Sequence, residues 1–489
     1  MILIDNVTIV DGSGDEPYIG WVTVDGDRIV AVGAGAPSSE ASADASERID
    51  GSNLVLAPGF VDVHTHDDIA VVRRPDHGCK TLQGVTSVVV GNCGISPAPP
   101  AEDNALGPAT HQSMGEYLDA VDAAQPSVNV AALVGHGTIR SSVMGLYNDA
   151  EATDAQLGEM LDVLRRAFDD GAVGWSTGLA YEPGRYSPES ELHAFAQVAA
   201  ERGAIYTTHM RNESDGLLES IDESIALAEA HDMALQISHL KAAGDQVWGD
   251  VVPALERIDA ARDRGVDVMA DQYPYTRGST LLEQVVRGGA LDGGSSFAKM
   301  TPAQILVASA PGHPEWEGKN LEEIGADNDT DPRQMADIIV EAEGRDCIVV
   351  LDNMSEDDVR TVLAHPAVMV GSDGIPAGRK PHPRLGHTYP RILGRYVREE
   401  GVVGIADMIR RMTAIPAQRF GFVDRGEIRA GAYADLVLFD PATIVDTGTW
   451  TEPNLPPAGI VGVWVNGERV ADGQSVTGAR PGRTIRAGR

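Results

Sequence analysis

Residues Phe60-Val-Asp-Val-His64-Thr-His66 open a series of apolar, β-branched runs, and their reading decides the fold. Alternation makes this segment a strand, with Asp62, His64 and His66 on one face and Val61 and Val63 on the other. Seven similar runs follow, at 85–92, 129–135, 172–177, 204–209, 234–239, 266–271 and 367–373. Amphipathic stretches separate them. In one, Thr153 and Gln156 form a capping box, Leu157, Leu161, Leu164 and Phe168 mark one face, and Gly171 ends it. Another opens at Ser187-Pro188 and stops before Gly203. Strand–helix units in such a series predict an α/β fold, a (β/α)8 TIM-like barrel with its site at the carboxyl ends of the strands. An open doubly wound sheet is the alternative, but no Gly-rich dinucleotide fingerprint follows the first strand.

Outward from the barrel, the two ends of the chain resemble each other. Short alternating strands occupy residues 2–33, with Asp25-Gly26 as a turn, and return at 434–439 and 461–465 ahead of Asn466-Gly467. Neither end carries enough apolar surface for its own core. The expectation is one small β-sandwich domain built from residues 1–56 and 425–489, around a barrel spanning 57–424. Residues 280–345, rich in Gly, Pro and acids, are too long for an ordinary loop and predict an insertion over the barrel mouth. That insertion is read either as a lid or as a surface excursion. If it is a lid, Leu281, Leu282, Phe297 and Met300 would line the site. Residues 347–351 could add a strand, which leaves the barrel count open by one.

The 489 residues carry a formal net charge of −35. That excludes binding of nucleic acid or an anionic membrane by bulk charge. Lysine is confined to Lys80, Lys241, Lys299, Lys319 and Lys380; the acidic surface fits a salty habitat and compositional bias equally. Three cysteines cannot form a disulfide framework. No apolar run approaches the ~18 residues of a membrane span, and no signal peptide is legible at the start. The expectation is a soluble, cytoplasmic protein.

Chemistry gathers at the predicted strand ends. His64 and His66 close the first run, Cys93 follows the second, and His209, His239 and Asp373 close three others. Imidazole, thiolate and carboxylate together suit zinc or a similar divalent ion. His136 also follows a strand and is open between a supporting or gating role and none. Cys79 and Cys347 read as packed thiols. His111, His193, His231, His313 and His365 fall in helices or loops. Gly174-Trp-Ser176-Thr-Gly178 lacks the spacing of a nucleophile elbow, so no serine triad is expected.

The chain resembles the amidohydrolase superfamily, in particular the N-acyl-D-amino-acid deacylases (D-aminoacylases), over nearly its whole length. The resemblance rests on Ala57-Pro-Gly-Phe-Val-Asp-Val-His64-Thr-His66-Asp-Asp, Gly91-Asn-Cys93-Gly, Thr208-His209-Met-Arg-Asn-Glu213, Ser238-His239-Leu-Lys241, Gly371-Ser-Asp373-Gly, Pro381-His-Pro-Arg384 and the stretch from Gly426 to Leu436. Many superfamily members bridge two metals with a carboxylated lysine; here the resemblance gives that role to Cys93. It implies one tightly held zinc on Cys93, His209 and His239. A weaker second position would use His64 and His66, and one ion or two remain open.

The resemblance also implies that Asp373 is both a metal-site residue and the general base and acid. Lys241, Tyr273, Ser279 and Arg384 would receive the α-carboxylate of a small N-acyl-D-amino acid. Tyr275 competes with Tyr273, and Arg379 with Arg384. Two other amidohydrolase activities stay open, on a cyclic amide and on a dipeptide containing a D-residue.

Overall fold

Residues that alternate between lumen and helix layer build the barrel. The computed structural model describes residues 1–101, 109–293 and 298–488. Its central strands are β1 (Phe60–Asp62), β2 (Val85–Val90), β3 (Asn129–Gly135), β4 (Gly174–Gly178), β5 (Ile205–His209), β6 (Leu235–Ile237), β7 (Val268–Gln272) and β8 (Val368–Val370). They lie side by side in sequence order, every pair parallel. Thr65 and Gly374 form a parallel bridge between the ends of β1 and β8. Asp373 N–H donates to His64 O at 2.7 Å and His66 N–H to Gly374 O at 3.0 Å, which ties the last strand to the first.

Val61, Val63, Val89, Ala131, Leu133, Ile205, Met269 and Met369 pack together as the lumen, with Phe420 and Phe422. The residues between them, such as Val88, Val90, Val130, Ala132, Val268 and Val368, pack under the helices. Each such fully buried branched side chain contributes about 1.5–3 kcal/mol of hydrophobic stabilisation. The helix over Asp154–Asp170 carries the expected capping box from Thr153 and Gln156, and it ends at Gly171 in a left-handed conformation.

Both ends of the chain contribute to one nine-stranded sheet. Val55–Pro58 pairs on one side with Ile2–Ile9 and on the other, antiparallel, with Leu436–Phe439. Ile4, Val7, Ile9, Val22 and Leu56 bury against Leu436, Leu438 and Trp464, so the apolar cluster is shared between the two ends.

The segment after β7 has its own core. Arg277–Leu281, Ile305–Ser309 and Ile348–Asp352 form a three-stranded antiparallel sheet with the last in the middle. Leu282, Val285, Val307, Leu321, Ile324, Met335 and Ile339 pack beside it. The strand expected over 347–351 therefore belongs to the insertion, and the barrel keeps eight strands. Leu282 and Met300 are buried in that cluster rather than turned to the barrel mouth, whereas Leu281 does line the mouth. Phe297 lies outside the described residues.

Among the described residues no helix is long and apolar enough to cross a membrane.

Candidate metal centre

The barrel strands stop short of the residues that matter, and the stops place them. β1 was expected to run to His66 but ends at Asp62. Because the chain bends at Val63 and His64, the expected shared face of Asp62, His64 and His66 is not formed. Asp62 points away to Lys80 (2.7 Å), while His64 and His66 turn into the mouth. Cys93, His239 and Asp373 have φ of 55°, 37° and 50°. Non-glycine residues rarely adopt this left-handed backbone, and it clusters at functional sites.

Glycine makes the Cys93 turn possible. A Cβ on Gly91 would lie 2.1 Å from Leu133 O, and one on Gly178 would lie 2.1 Å from Cys93 O. Ser176 braces the same turn: its Oγ donates to Gly91 O and accepts from Gly94 N–H at 3.0 Å. This serine is therefore occupied in support.

All six expected metal-site residues converge. Cys93 Sγ lies 3.3 Å from His64 Nε2, 3.6 Å from His239 Nε2 and 3.9 Å from His209 Nδ1. His209 Nδ1 and His239 Nε2 are 2.8 Å apart. Asp373 Oδ1 is 3.5 Å from His64 Nε2 and 3.3 Å from His66 Nε2. Three overlapping groups have donor atoms within 4.8 Å of one another: His64, Cys93 and His239; His64, His66 and Asp373; and His209, Glu213 and His239. A soft thiolate among imidazoles and hard carboxylates is a donor set that zinc fits.

Electrostatics follow from the crowding. Burial opposes charge on Cys93, yet His64 and hydrogen bonds from His209 and His239 hold its thiol well below the usual range. Burial also opposes ionisation of Asp373, but Arg384, whose Nη1 is 2.8 Å from Oδ2, holds it well below the usual carboxylate range. Against burial, Asp373 and Cys93 raise His66 to about 9. Asp68, burial dominating, is pushed up to about 7 although its Oδ1 accepts the Gly91 N–H at 2.8 Å.

Two carboxylates escaped the sequence reading. Asp271 Oδ1 faces His64 Nδ1 at 3.2 Å and accepts the His239 N–H at 2.9 Å, while Oδ2 accepts from Gln236 Nε2 at 3.0 Å. It follows lumen-facing Met269 by two residues, so the period that placed the other groups points to it as well. Glu213 Oε1 contacts His239 Nδ1 at 2.8 Å and Lys241 Nζ at 2.7 Å. Against burial, Lys241 and the histidines hold Glu213 well below its usual range.

The expected substrate residues gather at the same mouth with their charges engaged. Lys241 Nζ also meets His239 Nδ1 at 2.9 Å and donates to His239 O at 3.0 Å. Arg384 is fully buried; it lies over the Tyr273 ring at 4.4 Å and donates from Nη2 to Ser279 O at 3.2 Å. Tyr273 and Ser279 line the cleft with Lys241 and Asp373. Tyr275 instead faces His382, Trp450 and Arg391, and Arg379 pairs with Glu317.

The remaining candidates lie elsewhere. His136 is held by Glu191 at 2.8 Å among Trp175 and Phe195. His193 and His231 pair at 2.9 Å between two outer helices, His313 stacks on Trp316, and His365 bonds Asp259. Burial pushes Cys79 and Cys347 up to about 12, which suits packed thiols.

Known proteins resemble this chain over nearly its whole length. The chain is 39% identical to N-acyl-D-glutamate deacylase from Alcaligenes xylosoxydans xylosoxydans, over 99% of this chain and 96% of that one. It is 37% identical to D-aminoacylase of the same organism, over 99% and 97%. A crystal structure of N-acyl-D-glutamate deacylase from Bordetella bronchiseptica, complexed with zinc and a phosphonate mimic of the tetrahedral intermediate, superposes with a TM-score of 0.89. That match has 39% identity and covers 99% of both chains. The amidohydrolase family model matches residues 47–471. The chain belongs to the amidohydrolase family.

Proposed function

We propose that this protein is a zinc-dependent N-acyl-D-amino-acid deacylase, which hydrolyses a linear amide to a free D-amino acid and a carboxylate. The observation that carries the reading is the placement of Asp373. Its Oδ1 is within 3.5 Å of His64 Nε2 and His66 Nε2, and its Oδ2 is on Arg384. A carboxylate at the edge of a histidine–thiolate cluster, in an open cleft, is placed to move protons beside a metal. Cys93, His209 and His239 would hold a tight zinc, and His64 and His66 with Asp373 a weaker second one.

When bound, the ion polarises the acyl carbonyl and acidifies water beside it. Asp373 takes a proton from the attacking water at Oδ1 and returns it to the departing nitrogen, because an amine anion is a very poor leaving group. When only the tight position is filled, His66, 3.3 Å from that oxygen, is free to donate to the negative charge that develops on the acyl oxygen. Asp271 keeps His64 oriented through Nδ1, and Glu213 does the same for His239. Arg384, Tyr273, Ser279 and Lys241 receive the α-carboxylate, for which a guanidinium offers a bidentate fork. The substrate is a small molecule, and the protein acts in the cytoplasm.

The test is amine release from paired N-acetyl-D- and N-acetyl-L-amino acids by zinc-loaded protein. Hydrolysis confined to the D-forms supports the reading. Folded, zinc-loaded protein that cleaves neither enantiomer but opens a hydantoin or a D-residue dipeptide replaces it with one of those activities.

A further inference from the structure

The reading above leaves the amino-acid side chain open, since the acidic-substrate and general relatives match almost equally well. The cleft itself distinguishes them. Beyond the reacting groups its wall is formed by Ile95, Leu281, Leu351 and Ile375, with the neutral amides of Gln284 and Asn353. Among the described residues Lys241 is the one lysine or arginine that lines the cleft, and Arg384 reaches it from behind Asp373. Lys241 Nζ donates to Glu213 Oε1 at 2.7 Å and to His239 O at 3.0 Å. Arg384 is matched to Asp373, Arg277 to Asp352 at 2.8 Å, and Arg287 to Glu182 at 2.8 Å. Residues 102–108 and 294–297 contain no lysine or arginine.

A substrate brings one α-carboxylate, for which Arg384 and Lys241 are available by exchange. A side-chain carboxylate would be a second anion in a cleft that already carries Asp373 and Glu213, and among the described residues no further lysine or arginine lines it. An uncompensated charge in a largely desolvated site is strongly disfavoured.

The two amides add an independent observation. Gln284 is 2% exposed and Asn353 is 7% exposed. Among the described residues, Gln284 Nε2 and Asn353 Oδ1 have no hydrogen-bond partner. A buried donor and a buried acceptor left open on the wall of a cleft call for a ligand that supplies their complements.

We propose that this cleft selects N-acyl-D-amino acids with an uncharged side chain over acidic ones, and that the side chain lies against the Leu281–Gln284–Leu351 wall. This rests on the deacylase reading and deepens it. Leucine- and methionine-like side chains match the aliphatic wall. A carboxamide, which offers both a donor and an acceptor, matches Gln284 and Asn353.

The experiment compares kcat/KM of the zinc-loaded protein on N-acetyl derivatives of D-leucine, D-methionine, D-glutamine, D-glutamate and D-aspartate. D-Glutamine and D-glutamate have nearly the same shape and differ in charge, so their ratio isolates the effect. The expected ratio favours D-glutamine by about tenfold or more. D-Glutamate or D-aspartate cleaved as well as the neutral substrates overturns the selectivity. Gln284→Arg supplies the absent cation and is expected to reduce the ratio at least about tenfold. A folded variant with an unchanged ratio overturns the placement at Gln284. No hydrolysis of any of the five would instead overturn the deacylase reading itself.

Discussion

Asp271 and His64 face each other over the end of β8, with Oδ1 3.2 Å from Nδ1, so that Nε2 is left pointing at Cys93 and Asp373. The same oxygen holds the His239 backbone N–H at 2.9 Å, which couples β1 to the loop after β6 through one atom. A carboxylate behind a histidine ligand fixes its tautomer and raises its basicity. Asp271→Asn is expected to weaken zinc binding about 10- to 100-fold in competition with a chelator, with the circular dichroism spectrum unchanged. Undiminished affinity would remove Asp271 from the orienting role.

Asp373 and Cys93 should separate chemistry from metal retention. Asp373→Asn is expected to keep the tight zinc while kcat falls about 10²- to 10⁴-fold. Cys93→Ala should lose that zinc on dialysis, because the thiolate is the soft donor of the set. Metal analysis beside steady-state kinetics checks both. Near-normal turnover in the first variant, or full metal in the second, contradicts the assignment.

Lys80 is fully buried at the back of the site, with Nζ 2.7 Å from Asp62, 3.3 Å from Asp67 and 2.8 Å from Ser372 Oγ. Ser372 adjoins Asp373, so the network sets the loop after β8. Lys80→Met leaves Asp62 without its cation and Asp67 with His77 alone, and urea unfolding should show a loss of about 3–5 kcal/mol. A loss below about 1 kcal/mol would mean that the network relaxes without cost.

Acid should act through the same network. Burial opposes ionisation of Asp67, yet Lys80 and His77 hold it well below the ordinary carboxylate range. A carboxylate depressed in the folded state stabilises the fold above its unfolded pKa of about 4, and that contribution is lost as pH falls further. Unfolding free energies at pH 6 and pH 3 should therefore drop less for Asp67→Asn than for the unaltered protein. Equal drops would place acid sensitivity elsewhere.

Much of this is legible in the sequence. Lumen alternation through Val89, Ile205 and Met369 carries directly to Cys93, His209 and Asp373, so strand-end reasoning places those three. The same period reaches Asp271 from Met269, but an acid at a strand end has no special signature beside histidine and cysteine. The failure at Asp62 is local: the bend at Val63 and His64 interrupts alternation, and no residue type announces it. Partner choice was also out of reach, because Glu213 claims Lys241 and Asp373 claims Arg384 only once distant strand ends converge. The insertion followed its composition in position but not in structure. Leu282 and Met300 serve its own core, and apolar residues alone do not tell a private core from a cleft wall.

The most direct measurement is zinc titration of chelator-stripped protein, read as hydrolysis of N-acetyl-D-leucine and its L-enantiomer. The account predicts that D-cleavage is absent from the stripped protein and returns with the first equivalent of zinc, while the L-form stays intact throughout. Cleavage that survives stripping, or that proceeds equally on both enantiomers, would contradict it.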